Sequence, residues 1–257
     1  MAQIAFLGGT GPEGLGLAAR FALAGERVII GSREPERAVR AADTLRQRLA
    51  AAGRGTHISG TGNRSAAAAA DHVVLTLPFA AVTAVLPELA PALAGKIVLD
   101  VVNPLMLQSH LFNLAPLPAA SAAELIQRLL PQSLVVSGFK HLSARALCHI
   151  AQPLNGDVLL CSETPAATRY FLDLVDRIPH LRGIDAGGLA NARPLEAMTA
   201  LLLNLNRRYQ ATTSVQVLGL EQKRQNPRSP DLAAYSDPTG AAHDKDAGRR
   251  PRPAGPT

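Results

Sequence analysis

Ile4-Ala5-Phe6-Leu7-Gly8-Gly9-Thr10-Gly11-Pro12-Glu13-Gly14 carries an apolar, strand-like run into the glycine fingerprint Gly9-x-Gly11-x-x-Gly14, and an amphipathic, helix-like run follows from Leu15 to Leu23. Glycines at this spacing permit a tight turn and let the backbone approach a pyrophosphate whose charge rests on the helix N-terminus. The fingerprint is weak when met alone. At the first strand-to-helix junction of a chain it points to dinucleotide binding on a doubly wound fold.

The second strand selects the dinucleotide. Val28-Ile29-Ile30 leads into Gly31-Ser32-Arg33, where an NAD-binding chain places an Asp or Glu against the ribose 2′-hydroxyl. A hydroxyl and a guanidinium, with Arg37 one helical turn further on, suit a 2′-phosphate instead, and so NADP(H). The alternative leaves Arg33 as a solvated surface side chain.

Farther along, Arg37 to Ala52 reads as a helix ended by Gly53, and His57 to Gly60 as a short strand. Asn63 is placed to cap a helix over Ala66–Ala70. Val73 to Leu77, stopped by Pro78, and Ile97 to Val102, running into Asn103-Pro104, are continuous apolar runs of the kind found in strands buried on both faces. Ala80 to Leu93 reads as the helix between them. Ser121-x-x-Glu124 is a capping box for a helix through Leu130, and Leu134 to Phe139 supplies a sixth strand. The alternation predicts a mostly parallel, Rossmann-type α/β sheet over residues 1–150. Ligands are then expected at the strand ends: Gly8–Gly14, Ser32–Arg33, Pro78–Phe79, Asn103–Pro104 and Phe139–His141.

Residues 151–221 read as a smaller α/β extension for substrate binding and dimerisation. Val158 to Cys161 and Gly183 to Ala186 are strand-like, Thr164-Pro165 opens a helix, and Asn191 to Tyr209 is a long apolar helical pattern. That last helix is expected to pack on the sheet or on a second copy in a homodimer. From 222 to 257 the apolar pattern collapses among recurrent prolines, which predicts a disordered tail without an active-site role.

Composition narrows the function. The chain has 257 residues, 47% hydrophobic and 18% charged, enough for a full core. Its net charge of +6 is accompanied by only 4% aromatic residues and no Trp, so basic charge interleaved with stacking rings, the pattern of a nucleic-acid binder, is lacking. Arg37, Arg40, Arg46 and Arg48 recur at helical spacing and read first as a solvated face. Cys148 and Cys161 have no metal or redox spacing, no metal site is expected, and Cys161 should be a buried, inert thiol. No basic leader with an apolar stretch behind it opens the sequence and no run reaches membrane-span length, so a cytoplasmic protein is expected.

Several segments together resemble the F420-dependent NADP oxidoreductases, or NADPH-dependent F420 reductases. The likeness lies in Gly8 to Gly14, Gly31-Ser32-Arg33, Leu75-Thr76-Leu77-Pro78, Ser121 to Glu124, Asp157 to Cys161, Asp185-Ala186-Gly187, Asn191-Ala192-Arg193 and Leu201 to Tyr209. It covers roughly residues 4–220.

The resemblance implies hydride transfer between nicotinamide C4 of NADP(H) and C5 of the deazaflavin coenzyme F420. It implies that Gly9, Thr10, Gly11, Pro12, Glu13 and Gly14 follow the pyrophosphate and that Ser32, Arg33 and Arg37 surround the 2′-phosphate. Phe79, Thr83 and Leu105 would line the cofactor cleft, and Ala144 would lie near the nicotinamide. On the acceptor side it implies Asn103, Phe139, His141, Leu142 and Ser143. Arg193, Arg207 and Arg208 either meet the anionic tail of F420 or cap helices and face a partner subunit.

Both coenzymes are intrinsic hydride carriers, so the protein has to orient them and exclude water, and no catalytic residue is assigned. Holding the two carbons ~3–3.5 Å apart supplies much of the acceleration. Two alternatives stay open. An NADP-dependent reductase of an imine, carbonyl or metal-bound acceptor would need a proton donor in the cleft, for which Lys140 and His141 are the local candidates; His141 otherwise reads as a positioning or structural side chain. A non-catalytic NADP-sensing module would bind partners through its distal helices.

Overall fold

A computed structural model of the chain describes residues 2–220, of which residues 2–216 pack as one compact unit. The expected tail, 222–257, lies outside the described residues. Strand β1 (Gln3–Leu7) leads into helix α1 (Pro12–Leu23), β2 (Arg27–Ser32) into α2 (Pro35–Ala51), β3 (Ile58–Gly62) into α3 (Asn63–Ala69), and β4 (His72–Leu75) into α4 (Phe79–Leu93). After β5 (Ile97–Asp100) come a hairpin of β6 (Leu105–Gln108) and β7 (Leu111–Leu114), helix α5 (Ala122–Leu129) and strand β8 (Leu134–Ser137). The remainder is α6 (Ala144–Cys148), β9 (Gly156–Leu160), α7 (Pro165–Val175), β10 (Leu181–Asp185) and α8 (Ala192–Tyr209).

The central sheet has six parallel strands in the order β3-β2-β1-β4-β5-β8. Because side chains alternate along a strand, register fixes which residues share a face. Ala5 lies opposite Ile29 and Val73, so Ala5, Leu7, Ile29, Val73 and Leu75 form one core layer with residues of α3, α4 and α5. Ile4, Phe6, Val28, Ile30 and Val74 form the other with residues of α1, α2 and α7. Helices cover both faces, which is why these strands read as unbroken apolar runs.

Strands β9 and β10 form a separate parallel pair. An isolated antiparallel bridge, Ser137 to Cys161, joins that pair to the end of β8 through amide-to-carbonyl hydrogen bonds of 2.8 and 2.9 Å.

Four local features depart from the sequence expectations. The β6–β7 hairpin has no sequence signal because its turn residues, Ser109 and His110, hold φ of +48° and +67° without the Asn-Gly that normally marks such a turn. Asn63 does not cap α3 with its side chain; Gly62 is the N-cap, and the Asn63 amide turns toward the first strand loop. Helix α6 is too short to show a periodicity. The capping box is half as drawn: Ser121 Oγ accepts the Glu124 amide at 3.1 Å, whereas Glu124 accepts from Ala120 N.

No helix among the described residues is long and apolar enough to cross a membrane, and no group of three or more metal-ligating side chains gathers there.

Candidate active site

All six central strands point their carboxyl ends the same way, so the loops after them share one edge of the sheet, the edge where such folds bind ligands. Hydrogen bonds tie these loops to one another. Gly9 N donates to Gly31 O at 3.0 Å, joining the ends of β1 and β2. Gly8 N donates to Asn63 Oδ1 at 3.1 Å, which brings in the end of β3. Asn103 Nδ2 donates to Lys140 O at 2.9 Å, joining the ends of β5 and β8.

The glycine loop has the shape of an anion cradle. A Cβ on Gly14 would lie 2.7 Å from Gly9 Cα, and one on Gly9 would lie 2.7 Å from Phe6 Cβ, so side chains there would drive α1 off the strand. A Cβ on Gly11 would meet nothing within 4 Å, so the N-terminus of α1 opens onto free space. Gly11 is the N-cap of α1 and no side chain caps the helix, which leaves its first amides and the positive end of its dipole for a ligand. Pro12 and Glu13 begin that first turn, and Thr10 lies just ahead of the cap.

At the end of β2, Ser32 is buried and its hydroxyl accepts the Glu34 amide at 3.2 Å. Arg33 and Arg37 are exposed and form no ion pair with the described residues. Two solvent-facing guanidiniums thus follow the buried hydroxyl at the end of β2.

Below the loops of β5 and β8 lies a buried charge cluster. Lys140 Nζ donates to Asp100 Oδ2 at 2.7 Å and to the Val102 carbonyl, and it pairs with Glu196 Oε1 at 3.3 Å. Burial works to lower the Lys140 pKa, but Asp100 and Glu196 hold it above the ordinary lysine value. Burial raises the Glu196 carboxyl despite the ammonium. Glu196 also accepts the amides of Ala122 and Ala123, so α8 caps α5. Cys161 lies within reach of this cluster, its thiol pushed up to about 12 by burial.

The segment after β8 shows where the expected acceptor-side residues go. Phe139 is fully buried at φ +58°, its ring edge-on to Phe21 at 5.4 Å; the ring belongs to the core, and only its backbone borders the edge. His141 is buried too, its Nε2 2.7 Å from the Asp157 carbonyl, and burial lowers its pKa. Leu142, Ser143 and Ala144 are half-buried. Leu142 and Ser143 line a cavity of about 650 Å³ with Arg145, His149 and Asn206. Phe79 is half-buried at the first turn of α4, Thr83 is exposed one turn on, and Leu105 is half-buried at the start of β6. Asn103 Oδ1 is buried and accepts no hydrogen bond from the described residues, an acceptor suited to a ligand N–H or O–H.

Sequence reading missed Asn63 as the fastener of the glycine loop, Asp100 and Glu196 as partners of Lys140, and Arg20. Asn63 carried a signal, a polar side chain directly after a short strand. The other partners are brought together only by tertiary packing.

A family model described as NADP oxidoreductase, coenzyme F420-dependent, matches residues 3–104. The F420-dependent NADP reductase of Methanothermobacter thermautotrophicus is 40% identical over 211 residues, covering 80% of this chain and 90% of that protein. The F420-dependent NADP reductase of Methanocaldococcus jannaschii is 36% identical over 222 residues, 85% of this chain and 99% of its own length. Among solved structures, a protein from an Arthrobacter species, proposed to be an F420-dependent NADP reductase, is 27% identical with a TM-score of 0.71, covering 84% of this chain and 98% of its own. With relatives matched nearly end to end at this identity, beyond the dinucleotide-binding half alone, the chain belongs to the F420-dependent NADP reductase family.

Proposed function

We propose that this protein transfers hydride between NADP(H) and coenzyme F420 at the carboxyl edge of its sheet. The observation that carries the reading is the 40% identity to a named F420-dependent NADP reductase over 211 residues, 80% of the chain and far more than its glycine-loop half. When bound, the two coenzymes supply the chemistry themselves, the first exchanging hydride at nicotinamide C4 and the second at the deazaflavin C5.

The chain's own residues have the work of binding and orienting. The loop from Gly9 to Gly14 and the first amides of α1 would hold the diphosphate, and Ser32, Arg33 and Arg37 the 2′-phosphate. Phe79, Thr83 and Leu105 would border the cofactor. Asn103, through its unpartnered Oδ1, and the backbone and side chains from Phe139 to Ala144 would border the acceptor and the nicotinamide.

The ionisable groups of that segment favour a hydride-only reaction over reduction of a carbonyl or imine. Lys140 is committed to Asp100, Glu196 and a carbonyl, and His141 Nε2 faces the Asp157 carbonyl at 2.7 Å, so the protons of both are engaged within the protein. Residues 151–221 serve, in this reading, the acceptor side and pairing of two copies, the protein works in the cytoplasm, and neither nucleic acid nor metal takes part.

The test mixes the purified protein with NADPH and oxidised F420 and follows the visible absorption of the deazaflavin. Loss of that absorption at a rate proportional to protein concentration is expected. Tight NADPH binding with no absorbance change would leave the protein a nucleotide-sensing module instead.

A further inference from the structure

Arg20 lies in the last turn of α1, 6% exposed, and forms no ion pair with a carboxylate of the described residues. Its guanidinium instead donates to four backbone carbonyls: Leu147 at 3.3 Å through Nε, and Ala146, His149 and Gln152 at 3.3, 2.9 and 3.0 Å through one terminal nitrogen. These carbonyls belong to the end of α6 and the loop behind it, which the guanidinium ties to the C-terminal half of the cofactor helix. A buried cation balanced only by carbonyl dipoles is an expensive way to hold a loop that apolar packing would hold as well. A planar fork does something packing does not, in fixing the distance and angle of the segment it grips.

The same seam is closed from two other points. A Cβ on Gly16 would lie 2.6 Å from Leu147 Cβ and 3.1 Å from Cys148 N, so α1 and α6 meet where only glycine fits. Cys148 Sγ donates to Pro12 O at 3.1 Å, at the first turn of α1. Helix α6 begins at Ala144, directly after Ser143, which caps it by accepting the Ala146 amide at 3.3 Å.

We infer that Arg20 is a positioning residue for hydride transfer, setting the placement of the Ser143–Ala144 segment relative to the helix that carries the cofactor diphosphate. The inference rests on the proposed NADP(H)–F420 reaction and adds a residue that touches neither coenzyme. Its consequence is a separation of effects. The adenosine phosphates are held by the other end of α1 and by β2, so NADPH affinity should depend little on Arg20. The relative placement of the two reacting carbons should depend on it strongly, because a displacement near 1 Å can cost about a hundredfold in rate.

The experiment is stopped-flow single turnover of pre-bound NADPH with oxidised F420, for the wild type, Arg20→Lys and Gly16→Ala, reading rate constant and amplitude separately beside the NADPH Kd. Lysine keeps the charge and loses the fork, and alanine pushes on the same seam from the other side. Rate constants lowered about tenfold to a hundredfold in both variants, with NADPH Kd within about threefold of wild type, are expected. An unchanged rate constant with a reduced amplitude would overturn the inference, since a merely structural role lowers only the active fraction. An equal loss of affinity and rate, or failure of both variants to fold, would overturn it as well. If the wild type itself fails to reduce F420, the proposed reaction falls and this inference with it. An active wild type with unaffected variants removes only the role of Arg20.

Discussion

Asn63 Oδ1 accepts the amide of Gly8 at 3.1 Å, so a residue at the end of β3 holds the glycine loop that follows β1, two strands away. Asn63 is 8% exposed, and the same oxygen would stand 2.8 Å from a Cβ on Gly31. One carboxamide therefore sets the spacing of the first three strand ends. In Asn63→Ala the Gly8 amide loses its partner in a part-buried position, a loss of about 1–3 kcal/mol. Thermal melts should show a Tm lower by several degrees, and NADPH titration a Kd raised about tenfold. Unchanged NADPH affinity would show that the loop holds its shape without Asn63.

Arg33 and Arg37 are exposed beside the buried Ser32 hydroxyl, with no carboxylate paired to them among the described residues. A 2′-phosphate placed there would gain charge-assisted hydrogen bonds, each worth about 1.5–3 kcal/mol. Arg33→Ala should therefore lower kcat/KM for NADPH about tenfold or more while leaving that for NADH within about twofold. Steady-state kinetics with both nucleotides read the ratio directly, and an unchanged ratio would remove the 2′-phosphate from this corner.

The sequence made the sheet legible because parallel strands buried on both faces leave continuous apolar runs, as Val73 to Leu75 and Ile97 to Leu99 do, and because Gly9 and Gly14 mark a junction that no side chain fits. What stayed hidden depends on contacts distant in sequence. Lys140 read as a candidate proton donor, and only packing with Asp100 and with Glu196 on α8 turns it into an interior ion pair. Phe139 read as a cleft residue since it follows a strand, yet its positive φ turns the ring back against Phe21. The β6–β7 hairpin was invisible because Ser109 and His110 adopt a glycine-like conformation without glycine, and because it is held by Asn204 on α8, whose amide exchanges two hydrogen bonds with the Phe112 backbone.

Glu13, half-buried in the first turn of α1, has its carboxyl pushed up to about 7 from the ordinary 4.5: burial raises it, Lys140 draws it down, and Asp100 adds a smaller rise. A folded value above the unfolded one means that the fold favours the protonated acid. The stability this contributes is complete below the ordinary value and is lost as pH climbs toward 7. Glu13→Gln keeps the shape of the protonated acid and should not share that loss. The Tm of the variant minus that of the wild type should therefore grow from about pH 5 to about pH 8, by a few degrees. A bound diphosphate would further favour the protonated form, so NADPH affinity should weaken more steeply with rising pH in the wild type than in the variant. Parallel Tm curves and parallel affinity profiles would show that Glu13 titrates normally.

Lys140 and the two carboxylates facing it are all essentially excluded from water, so removing one partner leaves the remaining charges uncompensated inside the protein. Lys140→Met should cost about 3–5 kcal/mol in denaturant unfolding, since Asp100 and Glu196 would then repel each other without a cation. Lowering the pH should restore part of that loss in the variant, as the carboxylates take up protons, and should do so by more than the wild type gains at this cluster, where burial raises Glu196 but Lys140 still draws it down. The triple variant Asp100→Asn, Lys140→Met, Glu196→Gln removes every charge yet keeps an oxygen on position 196 for the Ala122 and Ala123 amides. It should recover most of the stability lost in Lys140→Met. Should the triple variant stay as unstable as the single one, the cluster would be holding the β5 and β8 loops through the geometry of its hydrogen bonds, among them Lys140 Nζ to Val102 O, and not through the balance of its charges.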